Sequence, residues 1–244
     1  MPVLKLRVTN VLAFRNLAFS YSRNKTIFTD LNLDIQAGRT LLLGPNGSGK
    51  STLFALASGA LQPRSGQVLA QQSIGLLPQK VPIFPNLTVE EQVAYVAWLA
   101  MKPIKAADAD AQRSLAQMNL NHKLKEKPKN LSGGELRRMG IAGLLNSDVE
   151  TLLLDEPTAG LDIAQCANLY QTLKLLPREH NVIVSTHQLD GISDFFDYVV
   201  LLFNGEVLFD STMEEFMRIG SKKENQITSD PLVNAYSNFV GSSL

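Results

Sequence analysis

The segment Gly44–Ser51 constrains the fold of this chain more than any other stretch, because it reads GPNGSGKS, the pattern GxxxxGK followed by serine or threonine. It follows the apolar run RTLLL and precedes TLFALASGAL, which has the composition of a helix. A strand, a glycine-rich loop and a helix in this order bind phosphate, and a chance glycine-rich turn is a much weaker interpretation. Backbone amides of such a loop surround phosphate oxygens, Lys50 reaches the β and γ phosphates, and the Ser51 hydroxyl can ligate Mg²⁺. We therefore predict a nucleoside triphosphate site made by Gly44, Pro45, Asn46, Gly47, Ser48, Gly49, Lys50, Ser51 and Thr52.

Several apolar runs predict an α/β core. The runs RTLLL, ETLLLDE and NVIVST are short, continuous and rich in leucine and valine, which is typical of parallel strands buried on both faces. The N-terminal segments LAFSY and LNLDI alternate between apolar and polar residues and predict half-exposed strands. The segment VVLLFNGEVLFDS has two β runs around Asn204 and Gly205, which predicts a hairpin.

The pattern turns helical in the middle of the chain. A possible capping box, Thr88 with Glu91, precedes VAYVAWLAM, and the segment LSGGE opens a further helix. We expect the first dozen residues to form an extra strand or arm, because they lack the apolar core and cleavage site of a secretory signal. The expected domain covers 1–220, with a core at about 1–86 and 147–220, a helical subdomain at about 87–146, and a C-terminal tail at 221–244 without clear pattern.

The composition is that of an ordinary globular protein and excludes several classes of function. Hydrophobic residues make up 45% of the 244, which is enough for a buried core. Lysine plus arginine and aspartate plus glutamate both total 23, so no overall basic field favours nucleic acid, and we expect no such partner. The single cysteine, Cys166, excludes an intramolecular disulfide and a cysteine-cluster metal site. No apolar run reaches the roughly 18 to 20 residues that span a bilayer, so we expect the isolated chain to be soluble.

Two acidic residues at the end of a buried run predict hydrolytic chemistry. Asp155 and Glu156 lie in TLLLDEP, ahead of a proline that ends the strand. Neighbouring side chains of an extended backbone point in opposite directions, so one carboxylate can face a metal while the other faces an attacking water. We predict that Asp155 binds Mg²⁺ through water and that Glu156 is the general base, a role typically worth about 10² to 10⁴ in rate. A solvated pair of acids is the alternative, and the P-loop in the same chain weighs against it.

The segment LSGGE at 131–135 combines a helix start with two adjacent glycines. Ser132 and Glu135 fit a capping box, which explains those two residues. Gly133 and Gly134 each cost up to about 1 kcal/mol relative to alanine in a first helical turn. Glycine is used where another group approaches the backbone closely, and a helix N-terminus attracts anions. A capping box without a ligand and an anion site are both compatible with these residues alone.

With these motifs, the chain resembles the ATP-binding subunit of an ABC transporter over about residues 13–220, and LSGGE matches the signature motif of that family. The resemblance implies an α/β fold with a P-loop NTPase core of mainly parallel strands, an N-terminal antiparallel β part and a helical subdomain insertion. It also implies that two subunits pack head to tail, so that Ser132, Gly133 and Gly134 of one close over the γ-phosphate held by the other. The implied cofactors are ATP and Mg²⁺. The implied partners are an identical or different nucleotide-binding subunit and a transmembrane permease.

The resemblance carries roles to four more residues, each with a plainer alternative. Tyr21 would stack on adenine, or it is an ordinary strand residue. Gln79 would ligate Mg²⁺, sense the attacking water and relay the state to the membrane partner, or it is an exposed loop residue. Asp162 would cross the subunit interface, although it could equally cap the following helix. His187 would contact the γ-phosphate as a switch, at the end of a buried strand where α/β ligand sites lie, or it is structural.

The function implied is an ATPase that dimerises around two ATP molecules, hydrolyses them and opens again. Its expected place is the cytoplasmic face of a membrane, bound peripherally through a permease. The segment LTVEEQVAYVAWLA and the compact C-terminus look most like the exporter branch with a separate permease, which moves lipids, drugs or peptides. Tyr95 and Trp98 would form part of the groove for a permease helix, or they pack in a core.

Two departures and two rival functions accompany this resemblance. Gly38 and Arg39 replace the usual glycine and glutamate before the P-loop strand, and the N-terminal arm is longer than typical. A phosphotransferase using the same P-loop is one rival, and LSGGE with Asp155 and Glu156 argues against it. The other rival is a single-cassette ABC-type ATPase that remodels a soluble protein assembly.

Overall fold

The described part of the chain begins with three consecutive strands from Asn10, has three consecutive α-helices near its middle, and ends in a helix at Gly241. The structure, a computed structural model, describes residues 10–187, 193–221, 228 and 230–241. The strands of this part are β1 (Asn10–Ser22), β2 (Lys25–Gln36), β3 (Arg39–Leu43), β4 (Ser65–Ala70), β5 (Ile74–Leu77), β6 (Thr151–Asp155), β7 (Asn181–Thr186), β8 (Tyr198–Phe203) and β9 (Glu206–Thr212). Its α-helices are α1 (Lys50–Ala57), α2 (Val89–Leu99), α3 (Ile104–Gln117), α4 (Gly133–Asn146), α5 (Ile163–Lys174), α6 (Met213–Gly220) and α7 (Pro231–Gly241).

The three apolar runs form strands in which every residue is buried, as the sequence predicts. Strand β6 pairs in parallel with β5 and with β7, and β3 pairs in parallel with β8. Near the N-terminus, β1 lies between β2 and β4 and pairs antiparallel with both. The predicted α/β fold, with parallel core strands and an antiparallel N-terminal part, is confirmed.

Packing divides the chain into two compact units. The first unit, Met1–Gln72 with Phe196–Leu244, holds the antiparallel sheet, the β3–β8–β9 strands and helices α1, α6 and α7. The second unit, Ser73–Phe195, holds the parallel strands β5, β6 and β7 and helices α2 to α5. Within the second unit, α2, α3 and α4 pack on one another and α4 also contacts β5. The predicted helical segment therefore lies within this unit, and its last helix packs against β5.

Lys102, in the connection between α2 and α3, makes three polar contacts with other parts of the second unit. The side chain of this residue is 8% exposed, and its Nζ atom lies 2.9 Å from Asp110 Oδ2 and 2.9 Å from Asp148 Oδ2. It also donates a hydrogen bond of 2.9 Å to the carbonyl of Asn146, the last residue of α4. One ammonium thus joins α3 to the end of α4.

The hairpin between β8 and β9 turns at Asn204 and Gly205, as predicted. Both residues have positive φ angles, 49° and 81°, and Phe203 pairs with Glu206 across the turn. A two-residue turn with positive φ at both positions matches the twist of the flanking strands, which is why Asn-Gly is preferred there.

The C-terminal segment contains a helix that the sequence pattern did not reveal. Helix α7 packs on α6, and the Phe239 ring lies 5.4 Å from that of Phe209 and 6.0 Å from that of Phe216, measured between centroids. Leu232 and Ala235 of α7 are fully buried. These contacts join α7 to the first unit.

Some predicted segments fall outside the described residues. Residues 1–9 of the predicted N-terminal arm lie there, whereas residues 10–12 belong to β1. In the C-terminal segment, 222–227, 229 and 242–244 also lie outside. Within the described part of the chain, no helix is both long and apolar enough to span a bilayer.

Candidate active site

The predicted phosphate-binding loop joins β3 to α1 in the first unit, and Gly49 sets its geometry. Gly49 precedes the first helical residue, Lys50, and has a φ of 108°, in the left-handed region. A Cβ atom at this position would lie 2.9 Å from Cζ of Phe28, a ring that is only 1% exposed. Glycine is therefore required both by the backbone angle and by the close approach of the ring.

Lys50 closes the loop from inside. It is 5% exposed, and its Nζ atom donates to the carbonyls of Gly44 at 2.8 Å and Pro45 at 3.1 Å. The hydroxyl of Ser48 is buried, and no hydrogen-bond partner for it lies among the described residues. The loop thus concentrates backbone amides, a hydroxyl and a cation around a glycine-rich turn without a carboxylate. This donor set fits the phosphates of a nucleotide.

The β8–β9 hairpin supports the loop from outside. The amide of Gly205 donates to the carbonyl of Ser48 at 3.1 Å. A Cβ on Gly44 would lie 2.2 Å from the carbonyl oxygen of Leu202 in β8. Gly205 is equally confined, since its Cβ would lie 2.0 Å from the carbonyl oxygen of Ile27. These glycines allow three backbone segments of the first unit to touch.

Tyr21, the predicted adenine platform, lies near the end of β1 and bonds to α1. Its hydroxyl is 3.1 Å from Oγ1 of Thr52, which links the ring to the helix that follows the P-loop. Phe19 packs edge-on against the ring at 5.0 Å, and Lys25 Nζ lies 5.6 Å from the ring centroid. Phe19 is 6% exposed, whereas Tyr21 is 53% exposed. Tyr21 is thus an exposed aromatic ring anchored beside the P-loop helix.

Asp155 and Glu156 lie at the carboxyl end of β6, and both are buried. The neighbouring strand β7 brings Ser185 opposite Asp155. The Ser185 hydroxyl donates to Asp155 Oδ1 at 2.5 Å, and the amide of Glu156 donates to that hydroxyl at 3.0 Å. Glu156 has a φ of 47°, a left-handed angle that is uncommon for a residue with a side chain.

His187, the predicted switch, pairs with the predicted base. Its Nδ1 lies 2.9 Å from Oε1 and 2.7 Å from Oε2 of Glu156. The imidazole is 37% exposed, whereas the Glu156 side chain is 8% exposed. The His187 ring is thus partly open to solvent, whereas the Glu156 carboxylate is buried and in contact with His187.

Helix α4 begins in the LSGGE segment with the predicted capping box. Ser132 Oγ accepts the amide of Glu135 at 3.3 Å, and the Glu135 carboxylate accepts the amide of Ser132 at 2.8 Å. This backbone hydrogen bond from Ser132 lowers the pKa of Glu135. Ser132 and Gly133 are exposed and Gly134 is buried. The box uses the amides of Ser132 and Glu135 and leaves those of the two glycines outside it.

Gly133 and Gly134 are confined by side chains of their own unit. A Cβ on Gly133 would lie 3.0 Å from Cδ2 of Leu161, and one on Gly134 would lie 3.5 Å from Oε1 of Gln165. Gln165 also donates to both carboxylate oxygens of Asp162, through its amide N–H and its side chain, each at 2.8 Å. Asp162 therefore caps α5, the plainer of its two predicted roles, and Gln165 links that cap to the signature glycines.

Comparison with known proteins identifies the family of this chain. The family described as ABC transporter matches residues 28–159, more than half of the chain. This chain belongs to the ABC transporter family. It is 32% identical over 226 residues to the energy-coupling factor transporter ATP-binding protein EcfA of Methanothermobacter thermautotrophicus, covering 85% of this chain and 73% of that protein. It is 32% identical over 248 residues to EcfA2 of Enterococcus faecalis, covering 88% and 84%.

A solved structure agrees with this assignment. The cbiO1 protein of Clostridium perfringens, described as part of the ABC transporter complex cbiONQ, superposes with a TM-score of 0.76 at 27% identity. The superposition covers 86% of this chain and 91% of cbiO1. The chain is thus an ABC ATP-binding domain, and such domains are ATPases.

Each unit of this ABC ATPase carries its own part of the predicted site. The first unit holds Tyr21 and Gly44 to Thr52. In the second unit, Asp155, Glu156 and His187 form one contacting group, and Asp162 lies with the signature glycines. Gln79 is exposed in a bend just after β5, at the same end of the parallel strands as Asp155, and in the described part of the chain it makes no hydrogen bond to Asp155.

The oxygen ligands of this ABC ATPase fit a Mg²⁺ ion that is shared with a nucleotide. Among the described residues, no group of three or more histidine, cysteine, aspartate or glutamate side chains could hold a metal alone. Mg²⁺ prefers oxygen ligands and is usually held by one or two carboxylates together with substrate phosphates. Within the second unit, the buried carboxylate of Asp155 and the side-chain amide of Gln79 offer oxygen ligands of this kind, and within the first unit the Ser51 hydroxyl does.

Three residues of the ABC ATPase site were missed by sequence reasoning. They are Ser185, which contacts both acidic residues, Gln165, which links two loops, and Gly205, which supports the P-loop. The hairpin pattern located Gly205 but not its contact. No local pattern marks Ser185 or Gln165, because their partners lie on other elements.

Proposed function

We propose that this chain hydrolyses Mg²⁺-ATP as one half of a head-to-tail dimer of nucleotide-binding subunits and thereby drives a separate membrane permease. The second subunit is an identical or a different chain. The dimer binds at the cytoplasmic face of the membrane through the permease. Nucleic acid has no part in this function.

The observation that carries the proposal is the exposed start of α4. Ser132 and Gly133 face solvent, and the capping box leaves the amides of Gly133 and Gly134 outside its own bonds. Amides at a helix N-terminus bind anions. Because the P-loop of the same chain already provides a complete phosphate cradle, this second anion site addresses an ATP held by another subunit.

The hydrolytic roles fall on the group in the second unit. Asp155 holds Mg²⁺ through water, Glu156 accepts the proton of the attacking water, and His187 holds the Glu156 carboxylate and contacts the γ-phosphate. The 2.7 Å contact between His187 and Glu156 supports this division of roles. Gln79 senses the metal and the water and relays the state to the permease.

The nucleotide is held through the first unit. Gly44 to Thr52 surround the phosphates, Ser51 ligates Mg²⁺, and the exposed ring of Tyr21 stacks on adenine. ATP that bridges a P-loop and a signature favours the closed dimer, and loss of the γ-phosphate removes that bridge. Hydrolysis therefore reopens the dimer.

The permease contact belongs to the helical subdomain at 87–146, within the core domain of 1–220. Tyr95 stacks on Trp98 at 5.6 Å and meets Phe84 edge-on at 5.0 Å, and Trp98 is 46% exposed. An exposed aromatic ladder on a packed helix suits the docking of an apolar helix.

Export of a lipid, drug or peptide stays a prediction from the sequence. The descriptions of EcfA, EcfA2 and cbiO1 name transporters without stating a direction of transport. Transport assays with the permease in right-side-out and inverted vesicles distinguish uptake from export.

Replacing Glu156 by glutamine tests the proposal. The amide cannot accept the proton of water, so ATP should still bind, turnover should fall by about 10² or more, and an ATP-bound dimer should accumulate. ATPase assays, nucleotide binding and size-exclusion chromatography measure these three quantities. Glu150→Gln is the matched control, because Glu150 is exposed at the other end of β6, and it should behave as the wild type.

Four outcomes would count against the proposal: the first two exclude a residue role, and the last two favour a rival function. Hydrolysis at the wild-type rate by Glu156→Gln would exclude Glu156 as the base. Tight ATP binding by Lys50→Ala would contradict the P-loop role. Phosphate transferred to an acceptor other than water would favour a phosphotransferase. Co-purification with a soluble assembly instead of a polytopic membrane protein would favour a protein-remodelling ATPase.

A further inference from the structure

Ser185 lies beside the predicted catalytic carboxylates but is not part of any motif recognised in the sequence. It is the fifth residue of β7, it is 0% exposed, and the strand register places it directly opposite Asp155. A small polar side chain in a fully buried strand requires hydrogen-bond partners. Its partners are the two acidic residues at the end of β6.

The directions of these hydrogen bonds follow from chemistry. The amide of Glu156 is a donor, so Ser185 Oγ accepts that bond at 3.0 Å. The serine hydroxyl has one hydrogen, which it donates to Asp155 Oδ1 at 2.5 Å. The carbonyl of Ser185 accepts the same Glu156 amide at 3.1 Å. One residue therefore orients a carboxylate and holds the following peptide.

The peptide that Ser185 holds has an unusual conformation. Glu156 adopts a φ of 47°, and such angles in residues with side chains persist only where the surroundings fix them. The same residue directs its carboxylate to His187. Because Ser185 holds the backbone amide of Glu156, it also fixes the position of the predicted base.

We propose that Ser185 is a positioning residue for hydrolysis. Its hydroxyl occupies Oδ1 of Asp155 and leaves Oδ2 for Mg²⁺ or a metal-bound water, and it fixes the peptide that aims Glu156. Ser185 is fully buried and acts through the carboxylate of Asp155 and the backbone amide of Glu156. The inference rests on the proposed roles of Asp155 and Glu156.

The test measures Mg²⁺ dependence in the full chain carrying Ser185→Ala. Two readouts are taken: the Mg²⁺ midpoint for binding of a fluorescent ATP analogue, and kcat for ATP. Groups that orient a metal ligand typically change metal affinity or activity by about 10- to 100-fold, so we expect the midpoint to rise by about tenfold or more and kcat to fall. Binding of the analogue without Mg²⁺ should not change, because the P-loop is intact.

Control variants separate positioning from a loss of stability. Thr40→Val removes another buried strand hydroxyl, one for which the described residues provide no partner, and should leave the Mg²⁺ midpoint unchanged. Ser185→Thr keeps the hydroxyl and should restore most of both readouts. Ser185→Cys has a weaker donor of similar size and should give a smaller shift in the direction of alanine.

Three results would overturn the inference. One is a folded Ser185→Ala variant with the wild-type Mg²⁺ midpoint, and another is a folded Ser185→Thr variant as impaired as alanine. If alanine does not fold, an unchanged midpoint in Ser185→Cys has the same force. Failure of the proposed function is distinguishable, because the wild type would then show no Mg²⁺-dependent hydrolysis.

Discussion

At the scale of single residues, the P-loop contains a glycine whose replacement would have two costs, one from the backbone angle and one from a steric clash. Gly49 combines a left-handed backbone with a buried ring 2.9 Å from the position of a Cβ. Gly59, after the end of α1, has a φ of 75° and no atom within 4 Å of its Cβ position. The two residues share the backbone condition and differ in the close contact.

We therefore expect Gly49→Ala to abolish ATP binding and Gly59→Ala to preserve it. A left-handed non-glycine residue costs about 1 to 2 kcal/mol, which both variants incur, and Gly49→Ala also has to displace Phe28. Urea unfolding should show a larger loss of stability for Gly49→Ala, and a fluorescent nucleotide should report binding. Equal stability losses in the two variants, with nucleotide binding retained in both, would contradict the role given to Phe28.

Some contacts of single residues could be predicted from the sequence and others could not. The P-loop pattern, the acidic pair and both capping boxes could be predicted because each involves neighbours in sequence. At Gly133 the sequence alone is compatible with a plain capping box or an anion site, and it gives no sign that Leu161 of the same unit lies 3.0 Å from the Gly133 Cβ position. Ser185 and Gly205 act on residues 29 or more positions away, and no local pattern encodes such a contact.

At the scale of elements, the helices of the second unit are joined by buried charge. Lys102 is nearly covered and bonds to Asp110, Asp148 and the carbonyl of Asn146. By contrast, Lys125 pairs with Glu90 at 2.6 Å while its own side chain is 82% exposed. Solvent screens exposed pairs, so the two lysines should differ in their effect on stability.

Replacing Lys102 by methionine should lower the free energy of unfolding by about 2 kcal/mol, because hydrogen bonds between charged groups are lost while the aliphatic packing is kept. Lys125→Met is the control and should have a much smaller effect. Chemical denaturation of both variants measures the difference. If Lys125→Met is as costly as Lys102→Met, burial does not govern these contacts.

The sequence predicted some of the secondary-structure elements but not others. Strands β3, β6 and β7 were recognisable because continuous apolar runs suit strands that are buried on both faces. Helix α7 was not, because its sequence PLVNAYSNFVG gives a weak pattern, and its place depends on aromatic contacts with Phe209 and Phe216. Tertiary packing, which cannot be read locally, decides such a helix.

At the scale of the whole molecule, the proposed dimer requires that the start of α4 act on another subunit. Ser132→Arg should leave nucleotide binding by the monomer nearly intact while preventing dimer closure and turnover. The measurement is dimer formation with ATP in a Glu156→Gln background, together with monomer affinity. Equal loss of monomer binding would mean that the signature acts within its own chain.

Helix α2 offers a matched control for that experiment. Thr88 and Glu91 form the same capping box as Ser132 and Glu135, with both hydrogen bonds present. Loss of either cap costs about 1 kcal/mol, so Thr88→Arg should match Ser132→Arg in stability and yet permit dimer formation. A dimer lost in both variants would point to the damaged helix instead of the signature.

The hydrogen bond from Gly205 to the P-loop has a consequence for how this gene can change. Surface hairpins usually accept added residues, since lengthening a turn seldom disturbs the strands below it. Here the tip of the hairpin supports the P-loop. The Gly205 amide donates to the Ser48 carbonyl, and the Gly205 α-carbon lies against Ile27 without room for a side chain. Inserting one residue there would displace the Gly205 amide from Ser48, so this turn should be as intolerant of insertion as the predicted phosphate-binding loop itself.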